Sequence, residues 1–245
     1  MGIKKYIHQF TRSLGFDFYA LKDKSDGELL RLRWLKEMNI KTVIDIGANE
    51  GQFASIIRKL LPESTIYSFE PIPHCYEKLK KNFSNDNRFK AFNMACGDED
   101  AEIEMNINNF SPSSSLLEVN DLHVKNFKHT AASKKQLIPV KKLDGLQSEL
   151  PLIKPYLVKI DTQGYEDKVI KGGADIIANA QVVFIELTYK PLYKGQTLFD
   201  GIYHEMLQLG FQYHGNTEEL LSPVNGAVLQ TDGVFIKNSI TPGKS

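Results

Sequence analysis

An α/β fold, with a mostly parallel sheet and an antiparallel hairpin at its end, is what this sequence predicts. Three observations carry that expectation. From Lys41 to Leu209, apolar runs of strand length alternate with helical patterns, and such alternation builds a parallel sheet through right-handed crossovers. Two strand-like runs, Phe211–His214 and Ala227–Lys237, then follow each other with little between them, as in an antiparallel edge hairpin. Finally, the first strand runs directly into a glycine turn, Thr42-Val43-Ile44-Asp45-Ile46-Gly47-Ala48-Asn49-Glu50-Gly51. In open parallel sheets such turns form the ligand rim.

Taken in order, residues 3–24 mix Lys4, Lys5, Arg12, Lys22 and Lys24 with Tyr6, Phe10, Phe18 and Leu21, a pattern for a short amphipathic helix and then an irregular stretch. A docked arm is the favoured reading; a cover for the active site and a membrane-surface contact are the alternatives. Ser25 or Asp26 is placed to cap a helix carrying Leu29, Leu30, Leu32, Trp34, Leu35 and Met38. Val43–Ile46 reads as a buried strand, Phe53–Leu61 as a helix closed by Pro62, and Thr65–Phe69 as a strand. Tyr76–Phe83 follows as a helix and Phe89–Met94 as a strand. Glu102–Asn108 alternates like an exposed strand, 109–134 reads as a polar loop with a short helix, and Gln136–Leu143 as a further strand. Tyr156–Asp161 is a buried strand, Glu166–Ile177 a helix bent near Gly172-Gly173, Val182–Glu186 a buried strand, and Leu198–Leu209 a helix closed by Gly210. The expected division is an N-terminal helical arm over 1–40 and one domain over 41–240.

Composition excludes several classes. Lysine plus arginine equals aspartate plus glutamate, 30 against 30 in 245 residues, so no global field draws nucleic acid or an anionic membrane. Cys75 and Cys96 have neither metal spacing nor a disulfide framework; reduced thiols fit a cytoplasmic setting. No apolar stretch reaches the roughly 18–20 residues of a membrane span, and the start lacks the apolar core of a secretion signal.

The ligand follows from spacing. Gly47 permits a sharp turn and Gly51 removes a side chain where the helix begins. Asp45 ends the first strand, where it can accept from an ammonium group; Glu70 ends the second, where it can accept from a ribose diol. A nicotinamide dinucleotide calls for a third glycine and a free helix N-terminus for its pyrophosphate. Here the glycines are Gly-x-x-x-Gly, and Glu50 stands where it would repel phosphates. A ligand with a ribose, a carboxylate, an ammonium and no phosphate fits better, which is S-adenosylmethionine. Asp98, in the turn Cys96-Gly97-Asp98, is in reach of an adenine amino group, although an ordinary β-turn explains that tripeptide equally well.

Val43–Phe53 as VIDIGANEGQF, Phe69-Glu70-Pro71, Ala95–Asp98, Ser113–Leu116 and above all Lys159–Glu166 as KIDTQGYE resemble the FkbM family of S-adenosylmethionine-dependent methyltransferases over roughly residues 40–237. The resemblance implies a class I methyltransferase fold, Rossmann-like and doubly wound, with seven strands of which the last is antiparallel. It implies O-methylation of a hydroxyl on a sugar, glycan or natural product. It assigns Asp45, Gly47, Ala48, Asn49, Gly51, Phe53, Glu70, Pro71, Ala95, Cys96, Gly97, Asp98, Ser115 and Asp161 to the donor. Cys96 departs mildly from the family pattern, and the first 25 residues lie outside it.

Methyl transfer from a sulfonium is an in-line displacement, so the protein mainly aligns an acceptor oxygen with the methyl carbon and sulfur. An alcohol is a poor nucleophile at neutral pH and needs a base or a metal. Asp161, Glu166 and Glu186 are the candidate catalytic acids. In one reading Asp161 or Glu186 is a general base; in the other the two hold a divalent cation. The metal-free reading is favoured, since no compact third ligand is evident. Glu166 has a competing role as helix N-terminal charge, and Asp161 as a cap. The expected partner is a small-molecule or glycan acceptor, with no nucleic acid, and a homodimer is left open. The runner-up is a non-catalytic donor-binding or scaffold protein; a nicotinamide-dependent oxidoreductase is disfavoured by the glycine spacing.

Overall fold

The computed structural model describes residues 24–108, 115–127 and 133–237. The expected amphipathic segment within residues 3–24 falls almost wholly outside them. A helix α1 (Lys24–Leu32) runs into a 3-10 turn, Arg33–Met38; Ser25 and Asp26 therefore lie within its first turn rather than ahead of it. The central sheet holds β1 (Thr42–Ile46), β2 (Thr65–Phe69), β3 (Phe89–Phe92), β7 (Tyr156–Ile160), β8 (Val182–Thr188), β9 (Phe211–Leu221) and β10 (Val228–Lys237) in the order β3-β2-β1-β7-β8-β10-β9. All neighbouring pairs are parallel up to β8, and β10 is antiparallel to both β8 and β9. This is the class I methyltransferase arrangement. Winding reverses between β1 and β7, so their carboxyl ends open the crevice.

The two sheet faces read directly from strand alternation. On one, Val43, Ile66, Leu157 and Phe184 pack with Ala54, Ile57 and Leu60 of α2 (Gln52–Leu60) and with Leu32 and Leu35. On the other, Ile44, Ile46, Val158 and Ile185 pack with Val169 and Ile170 of α5 (Glu166–Gly172), Ile176 and Ile177 of α6 (Ala174–Ala178), and Ile202 and Met206 of α7 (Phe199–Gln208). The expected bend at Gly172-Gly173 is a break between α5 and α6. A Cβ on Gly172 would lie 1.7 Å from the carbonyl oxygen of Gly97, so the helix ends where it crosses that backbone.

Two elements differ from expectation. Phe89–Met94 is not one strand. Asn93 donates to the carbonyls of Glu70 and Pro71 at 2.9 and 3.1 Å, which turns the chain. The following β4 (Ala95–Cys96) joins a second, three-stranded sheet with β6 (Ser133–Lys141) and β5 (Ala101–Asn108), ordered β4-β6-β5. Helix α3 (Pro73–Asn82) contributes Cys75 to the core beneath it. The first hairpin strand runs on to Leu221; as an edge strand its outward positions from Gln212 to Glu219 are polar, which hides its length from an apolar-run criterion. The short helix expected in 109–134 is α4 (Asp121–Asn126). Among the described residues no helix is long and apolar enough to cross a membrane.

Candidate active site

Gly47 has a φ of 81°, and a Cβ there would stand 1.8 Å from the Asp161 carbonyl oxygen. No other residue lets β1 turn past the end of β7. Four N–H groups of the turn that follows are engaged within the protein. Gly47 and Ala48 both donate to the Phe69 carbonyl at 3.0 Å, and Gly51 donates to Ala48 at 2.9 Å. Asn49, with a φ of 49°, donates its N–H to Glu70 Oε2 at 2.8 Å. A phosphate cradle needs such donors unengaged, and these four are taken. Glu50 does not guard it: its carboxylate pairs with Lys78 at 2.7 Å, on α3. Gly51 makes room for Leu79 and Phe83, each within 2.8 Å of a Cβ built there, so its smallness serves helix packing.

Two cavities flank the turn, and Gly47, Asn49 and Asp161 line both. The first, about 700 Å³ with its open mouth, has Glu70 and Pro71 on one side and Ala95, Cys96, Met105 and Leu116 on the other. Glu70 is 3% exposed. Its Oε1 accepts from Ile72 N–H at 2.7 Å and its Oε2 from Asn49, which leaves one further acceptor site on each oxygen. Burial pushes its carboxyl up to about 7, against those two hydrogen bonds. The Cys96 thiol is buried and held far above its usual range by burial. Gly97 and Asp98 do not line this cleft: Gly97 packs under Val140 and Tyr165, and Asp98 pairs with Lys168 at 3.0 Å. Ser115 donates to the Gln163 carbonyl at 2.6 Å and accepts from Leu117 N–H at 3.0 Å, so it fastens the wall of the cleft.

The second cavity, about 950 Å³ with its mouth, lies under α1. Phe53 and Phe184, with ring centroids 5.9 Å apart, form an apolar wall beside Asp45, Lys159, Asp161 and Asp232. Lys159 Nζ is 2.8 Å from Asp161 Oδ2 and 5.6 Å from the Phe53 ring centroid. Burial works against its charge, yet Asp161, Asp45 and Asp232 raise its pKa. Burial likewise opposes the Asp161 carboxylate, but Lys159 and the Gln163 amide hold it below the usual range. Burial pushes Asp45 and Asp232 up to about 6 each.

Gln163 joins the acids. Its Nε2 donates to Asp161 Oδ1 at 2.9 Å and to Glu186 Oε1 at 2.8 Å, and its Oε1 accepts from the Tyr193 hydroxyl at 2.9 Å. Burial first, then Asp161, Glu166 and Asp232, push Glu186 well above its ordinary value, opposite in direction to Asp161. Glu186 lines neither cavity. Glu166 is bound within its own turn, accepting from Thr162 N–H, Thr162 Oγ1 and Gly164 N–H at 2.9–3.2 Å. That makes it a brace for the Asp161–Gly164 loop, in which Gln163 and Gly164 have φ of 56° and 100°. Among the described residues no group of three or more His, Cys, Asp or Glu side chains is placed to hold a metal ion.

Lys159, Gln163 and Asp232 had no role in the sequence reading. One signal was available: Lys159 is a charge inside an otherwise apolar strand, and a charge there demands a partner.

A model of the methyltransferase FkbM domain matches residues 45–213. The chain belongs to the FkbM methyltransferase family. It carries an S-adenosylmethionine-dependent methyltransferase domain, and the motifs VIDIGANEGQF, FEP and KIDTQGYE lie within or across that match. The chain is 26% identical over 161 residues to the 2-O-methyltransferase NoeI of Sinorhizobium fredii, covering 63% of this chain and 66% of that one. It is 31% identical over 153 residues to the methyltransferase sdnD of Sordaria araneosa, covering 53% and 59%. The matched regions thus span about three-fifths to two-thirds of these relatives. A precorrin-6y C5,15-methyltransferase structure from Geobacter metallireducens superposes with a TM-score of 0.43 at 11% identity, over 89% of this chain and 91% of that one.

Proposed function

We propose that the chain transfers the methyl group of S-adenosylmethionine to a hydroxyl oxygen of a sugar, glycan or natural-product acceptor. The observation that carries the donor assignment is Glu70: a buried carboxylate with one acceptor site left on each oxygen, at the wall of the cleft beside the glycine turn. The tight approach at Gly47 and the unpartnered Asp45 Oδ1 fit a donor lying across the turn, with its nucleoside toward Glu70 and its amino-acid end toward Asp45. When bound, the donor supplies an activated methyl group. Asp161, held ionised beside Lys159, accepts the hydrogen bond of the incoming hydroxyl and takes its proton as the new O–C bond forms and the C–S bond breaks. Gln163 and Lys159 keep that carboxylate in one orientation. An oxygen acceptor is supported by these acids at the rim and by the name of the relative NoeI.

The test is a methyl-transfer assay against fractionated metabolites and glycans of the source cell, with Asp161→Asn alongside. The reading expects turnover at saturating donor to fall at least 100-fold in Asp161→Asn, far more than donor affinity falls. Wild-type turnover in that variant would remove Asp161 from the chemistry.

A further inference from the structure

The second cavity carries more negative charge than its folding explains. On the sheet face under α1, Asp45 of β1, Asp161 after β7 and Asp232 of β10 surround a single ammonium, Lys159. Lys159 bonds Asp161 only. Asp45 is fully buried and lines the chamber, its Oδ2 meets Ser68 Oγ at 3.5 Å, and its Oδ1 has no hydrogen-bond partner. Glu186 sits opposite Asp232 in the sheet register and leaves Oε2 without a partner. Arg31 does not answer the excess, since it is held by Glu218 at 2.6 Å and by the Thr217 carbonyl at 2.8 Å, and Glu28 stands on the same helix. With Asp45, Asp161 and Asp232 ionised, two negative charges are left unbalanced. Such an arrangement destabilises the empty fold and awaits a cation. The Phe53–Phe184 wall strengthens the attraction by excluding water and by offering ring faces to a cation.

Building on the donor reading above, we infer that this chamber tells the sulfonium donor from its thioether product by charge, binding the first and releasing the second. Transfer of the methyl group turns a positive sulfur into a neutral one. The amino-acid ammonium, which donor and product share, answers Asp45; the sulfonium charge that is lost is the one that answered the second unbalanced acid, so the attraction that seats the donor lapses when the reaction is done. The consequence is weak product inhibition, set by Asp232 and not by contacts to the nucleoside or the amino-acid ammonium, which donor and product share.

Calorimetry at pH 7.5 with three ligands tests this without an acceptor: S-adenosylmethionine, S-adenosylhomocysteine, and the donor analogue in which an amine-bearing carbon replaces the methylsulfonium. The expected result is that both cationic ligands bind at least tenfold more tightly than the neutral thioether, and that the gap narrows at least threefold in Asp232→Asn, with melting curves confirming that this variant is folded. Equal or tighter binding of the thioether to the wild-type protein overturns the inference while leaving the donor assignment intact. Absence of binding by all three overturns the donor assignment, and the inference with it.

Discussion

Replacing Glu70 by glutamine isolates the ribose contact from the fold. Alanine would leave the N–H groups of Asn49 and Ile72 without acceptors inside a site only 3% exposed, at about 1–3 kcal/mol for each orphaned donor. That change confuses binding with stability. Glutamine keeps one oxygen for one of the two N–H groups and turns its NH₂ toward the other, so the stability loss is about 1–3 kcal/mol. For the donor, two hydrogen bonds to an ionised carboxylate become at best one to a neutral amide. At about 1.5–3 kcal/mol for a bond to a charged group, affinity should fall roughly 10- to 150-fold. Titration calorimetry with S-adenosylmethionine on a variant whose melting curve is cooperative measures this. An affinity within twofold of wild type would remove Glu70 from the ribose and refute the reasoning.

Further outcomes follow from the same geometry. Gln163→Met keeps the side-chain length but removes the bonds to Asp161, Glu186 and Tyr193; the Glu186 carboxyl should titrate still higher by carboxyl carbon NMR, with donor affinity changed less than threefold, and an unmoved titration would contradict its positioning role. Donor affinity should rise with pH between about 6 and 8: Glu70 is held up to about 7 and Asp45 and Asp232 up to about 6 by burial, the ligand's diol and cation favour the ionised forms, and so lowering pH adds protons that binding must expel. A flat affinity from pH 5.5 to 8 would dismiss that linkage. Gly172→Ala places a methyl 1.7 Å from the Gly97 carbonyl and should cost at least about 3 kcal/mol in denaturant unfolding; a loss under 1 kcal/mol would show that α5 and the turn after β4 are not in that contact.

The parts of this site that were legible in the sequence are those encoded within one strand–turn–helix unit. Gly47 and Glu70 could be found because each ends an apolar run, and strand ends are where a parallel sheet meets its ligand. The antiparallel end of the sheet was legible for a similar reason, since two strands without a helix between them must pair antiparallel. What was hidden depends on distant partners. Asp232 reaches Lys159 only because β10 enters the sheet beside β8, and no local pattern reports that insertion. The fate of Ala95–Cys96 was hidden too, because Asn93 diverts the chain through bonds to the backbone of residues 70 and 71. Glu166 and Asp98 show a different dependence on the fold. Both are acids near the expected rim, but Glu166 satisfies the backbone of its own loop and Asp98 a surface lysine, and only coordinates separate such tasks from a ligand contact.

A crystal structure with S-adenosylmethionine bound tests the central claim most directly. The account predicts the ribose diol within about 3 Å of the two Glu70 oxygens, with the amino-acid end beyond Gly47 on the Asp45 side. Density for the donor elsewhere, or a ribose turned away from Glu70, would contradict it.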